Sequence, residues 1–530
     1  MNPIFLKILT ALSAFLMLFL SPGGAIRQPA ASKKCPAFYG EAAVSNPLED
    51  EGNLPIPQHP FLAPEGTNGM HGNGYNTDTY DYMGPLGINP VVKSRSMNVF
   101  GGLVATLMFD SQGRIMCISG NVVGFRLLLI DADTLEILAE TRLPQRPSTV
   151  EAIKTLNFSA ISSDTSGGAY CHLLKGDRPI IGNSDNVIQI YYIDESSGTP
   201  EWKIEKEWDI DSYLPEGSHL TDAMPDYEGN IWFLTRPGEV GYIDVETDKV
   251  HVLNIKDLTG LKDENEEIQN TFAICEDGIY IVSDRAMYRF EIGEDKLPTY
   301  TWRTPYDRGT TLKPGAINQG SGTTPTLLDV PVYDKEGEGA TQVGVRKLCA
   351  ITDNADNQVN IVVYDRETGE VVDQHPLFTP GKSVSENSIV AYGRSFIIEN
   401  NYSDSGAGFL ENNPTSEPGV TRLDMNYNCT ELVQVWHSNE ASATVVPKMS
   451  TENGILYLYT RVQNDDIPKN AVAWYFTAVD FRSGETLYKV FTGCGKNWNN
   501  SYGPITIGPN GHAYVGVFNG LISIEDVPAQ

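Results

Sequence analysis

One motif recurs along the chain: a short apolar strand ending in Asp, a few turn residues, then a second short strand. It reads "LIDADTLEIL" at Asp131, "YIDESSGTPEW" at Asp194 and "YIDVETDKVHVL" at Asp244. It returns as "VYDRETGEVV" at Asp365, "RLDMNYNCTELVQVW" at Asp424 and "AVDFRSGETLYKV" at Asp480, with a weaker copy, "RFEIGEDKLPTYTW", near Glu291. A glycine-bearing turn feeding an alternating strand precedes these copies, as in "DSQGRIMCIS", "YEGNIWFLT", "CEDGIYIVS" and "TENGILYLY". Asp, Asn and Gly tips supply the positive-φ positions of tight hairpins, and period-2 alternation marks half-buried strands. Runs of helical period are hard to find. Two hairpins per unit make a four-stranded meander. The expected fold is therefore all-β, a β-propeller of eight four-stranded blades, with seven the alternative.

Full units start near Gly102, Glu151, Ser218, Gln269, Gly320, Ser385 and Ala441. The last stretch, Gly503–Asp526, holds only three strands, so the ring is expected to close with a strand from near Ile88–Val92. Such closure by N- and C-terminal strands removes exposed sheet edges. Residues 1–25 read as a signal peptide: Lys7, an apolar run Ile8–Leu20 too short to span a bilayer, and a small-residue cleavage site at Gly23–Ala25. Residues 26–87, rich in Pro, Gly and Asn, read as an extended arm lying over the propeller, and residues 88–530 as the propeller itself. An arm of that kind is expected to be dispensable for folding.

The reading is a secreted protein, extracellular or, in a bacterium, periplasmic or at the cell surface, with no membrane span. The formal charge of −30 excludes binding to a nucleic-acid backbone, which needs clustered Lys and Arg. Seven cysteines permit disulfides after secretion, but the odd count leaves at least one outside any pair. None has zinc spacing. Sequons begin at Asn157, Asn401, Asn428 and Asn499; in a eukaryotic host these are glycosylation sites, expected at the surface.

Blade geometry assigns addresses. The loop between second and third strands and the loop entering the innermost strand share one face, around the channel mouth. To that face belong Asp353 and Asn354 of "ITDNADNQ", Arg236, Asp284, Asn400 and Arg461 after second strands, and His219, Asp222, Asn270, Glu386 and Asn387 before innermost ones. His219 is the histidine expected at the channel, and His219, Asp222 and Asp353 are the catalytic candidates. Asn270, Arg236, Asp284, Asn400 and Arg461 are the ligand-binding candidates. Asp353, Asn354, Glu386 and Asn387 form an oxygen-rich set suited to calcium, which takes 6–8 oxygen ligands. The same residue types also hydrogen-bond their own turns, so a purely structural loop is the competing reading. His71, in "MHGNGYNTDTYDY", is a further candidate if the arm folds over the channel. No G-x-S-x-G elbow is present, and the glycine pairs lack the strand–helix context of a dinucleotide site.

"GSGTTPTLLD" (Gly320–Asp329), followed by "AITDNADNQVNIVVYDRETGEVV", resembles the blade pattern of the quinoprotein alcohol dehydrogenase-like superfamily, as does the repeat as a whole. The resemblance implies pyrroloquinoline quinone over calcium in the channel, held by Glu and Asn with an Asp base. The chain lacks that family's vicinal cysteines. Trp202, Trp208, Trp232, Trp302, Trp436, Trp474 and Trp498 fall at no common blade position, as its docking motif requires. The quinone is therefore not expected, while calcium remains open. A second resemblance is to secreted calcium propellers of the lactonase and arylesterase type, usually six-bladed and shorter. It implies a metal role for Glu386, Asn387, Asp353 and Asn354. The expected function is binding of a small polar ligand or an extracellular protein at the polar mouth, by a monomer. The alternatives are a calcium-assisted hydrolase and a quinoprotein-like oxidoreductase.

Overall fold

The computed structural model describes residues 35–48, 52–97, 102–121, 124–155, 164–260, 266–403, 416–462 and 472–528. The leader assigned to residues 1–25 and the sequon at Asn157 lie outside them. The fold is an eight-bladed β-propeller. Eight antiparallel four-stranded arrays succeed one another along the chain. The first begins at Leu103–Phe109 and the seventh ends at Thr486–Cys494. The eighth takes three strands from the C-terminus, Ile505–Ile507, Ala513–Val517 and Gly520–Glu525, and its outermost strand, Val91–Arg95, from the N-terminal side. Val91 pairs with Glu525 and Val92 with Ile524, which closes the ring where the sequence left it open.

Each face of a blade buries apolar side chains against its neighbour. Val330, Ile361, Phe396 and Leu423 fill the junction of the fifth and sixth blades, and Tyr457, Trp474, Ile505 and Val515 that of the seventh and eighth. The core is a ring of such junctions rather than one central mass.

The repeated Asp is structural. Asp131 Oδ1 accepts from the N–H and hydroxyl of Thr134, both at 2.8 Å, and Asp480 Oδ1 accepts from Ser483 in the same way. Asx turns of this kind fix hairpin tips. The second unit departs from expectation. Pro147–Thr155, placed near its start, is a helix with Pro in the first position, where a missing N–H costs nothing. The innermost strand begins only at His172.

Some tryptophans do recur, which corrects the reading that they share no position. Trp302 and Trp436 lie on the outermost strands of the fourth and sixth blades. Each donates its indole N–H to the next blade's hairpin, at Arg366 O (2.9 Å) and Phe481 O (2.8 Å). The rings cover Gly369 and Gly484, where φ is 73° and 74° and a Cβ would lie 2.5 and 2.6 Å from the indole. Only glycine suits both the conformation and the contact.

The arm enters the channel instead of resting on the disc. Among the first strands' N–H groups, Phe109 donates to Thr67 O, Ile274 to Gly74 O, Leu327 to Tyr75 O, Ala391 to Thr77 O and Met449 to Asp78 O, at 2.8–3.1 Å. Leu173 donates to Asn68 O, Tyr227 Oη to Pro57 O and Tyr82 Oη to Ile507 O. All eight blades are thus tied to residues 57–82. Thr79–Tyr80 adds a parallel strand to Lys448–Ser450. The strand ends facing the channel would otherwise leave backbone donors without protein partners. This plug closes the end carrying the first-to-second-strand turns. No helix of the described residues is long and apolar enough to cross a membrane.

Candidate functional site

The plug leaves the opposite mouth as a cup. Its floor is ionic. Lys448 Nζ donates to Asp78 Oδ1, and His71 Nδ1 lies 2.9 Å from the same oxygen, all fully or nearly buried. Beside them His172 Nε2 lies 3.0 Å from Asp222 Oδ1, and the Thr271 hydroxyl donates to Asp222 Oδ2. The histidine partner of Asp222 is therefore His172, not His219. The sequence reading missed His172 because it began the second unit at Glu151. His219 is half-buried, and its Nδ1 has no hydrogen-bond partner among the described residues. His71 belongs to the floor, where burial holds its pKa below the usual imidazole range.

Above the floor, Glu386 lies near Gln269, Lys313, Tyr170 and Tyr502. Its Oε2 has no hydrogen-bond partner among the described residues. Its neighbour Asn387 donates to Glu399 Oε1 at 2.5 Å and to Val445 O at 2.7 Å. Burial pushes the carboxyls of Glu386 and Glu399 up to about 8. Both are therefore protonated through neutral pH.

This has a pH signature. The folded chain holds protons that the unfolded chain releases above about 4.5. The stabilisation is full below that pH and is lost as pH rises through about 8. Glu386→Gln mimics the protonated acid. The variant's stability relative to wild type, measured by calorimetry, is expected to gain from pH 5 to about pH 8, at up to ~1.4 kcal/mol per pH unit, and to level off above that. A difference independent of pH would contradict it.

The four residues of the calcium set do not form one shell. Asp353 is turned into its own loop: Oδ1 accepts from Asn360 N–H at 2.7 Å and Oδ2 from the Asn360 amide at 2.7 Å. Asn354 donates to Arg308 O. Lys313 is buried beside Asp353 and Glu386, a cation already in place, with Nζ donating to Ala355 O. Among the described residues no group of three His, Cys, Asp or Glu side chains could hold a metal. The residues present do not fit a calcium shell of 6–8 oxygens.

Arg236 and Asp284 do come together. A cavity of about 230 Å³ opens on this face at the boundary of the fourth and fifth blades, lined by polar residues apart from Val282. Arg308 Nη2 donates to Asp284 Oδ2 at 2.5 Å, and Arg236 donates to Glu267 Oε2 at 3.0 Å and Asn318 Oδ1 at 2.6 Å. Gln269 lines the cavity and links it to Glu386. The amide nitrogens of Asn318 and of the adjacent Asn270 are buried without a hydrogen-bond partner among the described residues. Arg461 lies apart, over the Trp474 ring at 5.4 Å, and burial lowers its pKa to about 10. Its Nε and Nη1 have no hydrogen-bond partner among the described residues. Asn400 is consumed by its loop, accepting from Val384 and Tyr402 and donating to Lys382 O.

Of the sequons, Asn401 and Asn499 are buried, contrary to the surface position expected of them. Asn401 instead accepts from Glu386 N–H and donates to Glu399 Oε1. Asn428 is half-exposed at a hairpin tip.

The fold defines an eight-bladed β-propeller with a plugged channel and one polar mouth. No family model matches the chain. An uncharacterised protein of Archaeoglobus fulgidus is 25% identical over 339 residues, 58% of this chain and 62% of that protein. The match thus spans less than two thirds of that relative's length. Among solved structures, streptogramin B lyase covers 92% of this chain and 97% of its own at 10% identity and a TM-score of 0.31. A putative 6-phosphogluconolactonase from Bacteroides fragilis covers 74% and 96% at 11% identity and 0.39. The WD40 domain of Sif2 covers 81% and 97% at 10% and 0.40. Likeness at this level carries no activity across.

Proposed function

We propose that this protein binds a small, neutral, polyhydroxylated ligand, a single sugar ring or polyol, in the mouth cavity between the fourth and fifth blades. The supporting observation is that cavity's chemistry. Its charges are already paired, Arg308 with Asp284 and Arg236 with Glu267, so a charged ligand would have to break an ion pair. The other polar lining groups are the amides of Gln269, Asn318 and Gln319 and the hydroxyls of Ser283 and Ser321, with the Asn318 amide nitrogen buried without a hydrogen-bond partner among the described residues, and such groups suit a ligand that both donates and accepts. At about 230 Å³ the space is smaller than drug-sized pockets, which run roughly 300–1,000 Å³. We read the protein as secreted, from its leader-like first residues.

Thermal shift and calorimetric titration with glucose, galactose, mannose, xylose and glycerol, against glucosamine and gluconate as charged controls, test this. At least one neutral compound is expected to raise Tm by mass action, and the charged ones are not. Asn318→Ala is expected to weaken that binding about tenfold, the value of one to two hydrogen bonds. A response only to the charged compounds, or to none, would overturn the reading.

A second reading, a hydrolase, is favoured by Glu386 alone, a buried carboxyl that keeps its proton at neutral pH as a general acid must. Turnover of a nitrophenyl glycoside, lost in Glu386→Gln while sugar binding persists, would select it.

A further inference from the structure

We infer that Cys35 and Cys494 form a disulfide that locks the N-terminal strand to the outer edge of the seventh blade. Phe38–Gly40 runs antiparallel to the outermost strand, with Phe38 opposite Val490 and Gly40 opposite Tyr488. The pairing continues outward: Phe491 N–H donates to Ala37 O at 2.9 Å, and Tyr475 Oη donates to Pro36 O at 3.3 Å. This brings the Cys35 and Cys494 sulfurs to 4.0 Å. Cys35 is buried against Ala473, Tyr475 and Phe491, while Cys494 is exposed, so an oxidant reaches one thiol and the second resolves it. The other five cysteines are all buried, and Cys117, Cys275 and Cys349 lie within strands.

The oxidant is a small disulfide such as oxidised glutathione. The Cys494 thiolate attacks one of its sulfurs, the S–S bond breaks, and one glutathione leaves as thiolate and takes up a proton. The Cys35 thiolate then attacks the Cys494 sulfur of the mixed disulfide and expels the second glutathione. Two protein thiols are oxidised and one glutathione disulfide is reduced to two thiols. Partial desolvation of this otherwise exposed residue, with Cys35 alongside, pushes the Cys494 thiol up to about 12, so exchange is slow at neutral pH.

The test is peptide mapping of the full-length protein after long incubation with oxidised glutathione at mildly alkaline pH, alkylated and digested without reductant. The expected product is one cross-linked peptide pair holding Cys35 and Cys494, absent from Cys35→Ser and from Cys494→Ser. The oxidised wild type should melt about 2–4 °C above the same protein with a phosphine reductant, a difference that both variants lose. Cys494 recovered only as its glutathione adduct, both cysteines recovered alkylated, or Cys494 linked to a second chain would each overturn the inference.

Discussion

A chain lacking residues 26–84 is expected not to fold cooperatively. The deleted segment contains Leu62, Tyr75 and Tyr80, each no more than 2% exposed. Burying one large apolar side chain contributes roughly 1.5–3 kcal/mol. The same deletion removes the carbonyls that accept from Phe109, Ile274, Leu327, Ala391 and Met449. It also strands the Lys448 ammonium in the channel without Asp78. The sum is comparable to the whole ~5–15 kcal/mol stability of a folded domain. Circular dichroism and calorimetry check it. A sharp melting transition in the truncated chain would show that the arm is ornamental, as an arm over the disc would have been.

The second large effect belongs to the ion pair itself. Lys448 and Asp78 have fully buried side chains. Asp78 stands at φ 58°, a left-handed conformation that Asn also tolerates, so Asp78→Asn removes the charge without straining the backbone. The expected cost is about 3–5 kcal/mol, because a buried ammonium loses the carboxylate that pairs with it. Burial already lowers the Lys448 pKa from 10.5, so stability should recover as pH rises towards that value and the unfolded chain alone holds the proton. Adding Lys448→Met removes the second charge and should restore most of the loss. Urea unfolding of both single variants and the double variant measures this. Additive losses in the double variant would refute the coupling.

The blades were legible because their signals are local. A strand of period two, an Asp at its end and a glycine at the tip are read within ten residues, and counting called for a closing strand near Ile88–Val92, which the structure places at Val91–Arg95. The plug was not legible. Asp78 and Lys448 are 370 residues apart, and nothing periodic joins them. The same distance problem hid the tryptophan docking, which links Trp302 to a hairpin 64 residues on. A helix and its flanking segment displaced the second blade's start, and His172 was overlooked with it.

At the mouth, address was readable and orientation was not. Arg236, Asp284 and Asn270 gather at or beside one cavity. Asp353, Asn354 and Asn400 share the same face but spend their polar atoms on their own or adjoining loops. Residue type cannot separate these cases, since an Asp that holds a turn and an Asp aimed at a ligand look alike in sequence. Lys313, the cation between Asp353 and Glu386, stood in a stretch that no motif marked.

Hydrogen–deuterium exchange with and without a saturating neutral sugar from the panel tests the central claim most directly. The account predicts slow exchange throughout residues 66–80 in both states, with ligand-induced protection confined to peptides covering 266–285 and 306–323. Fast exchange in the plug, or protection that falls there and spares the fourth–fifth blade boundary, would contradict it.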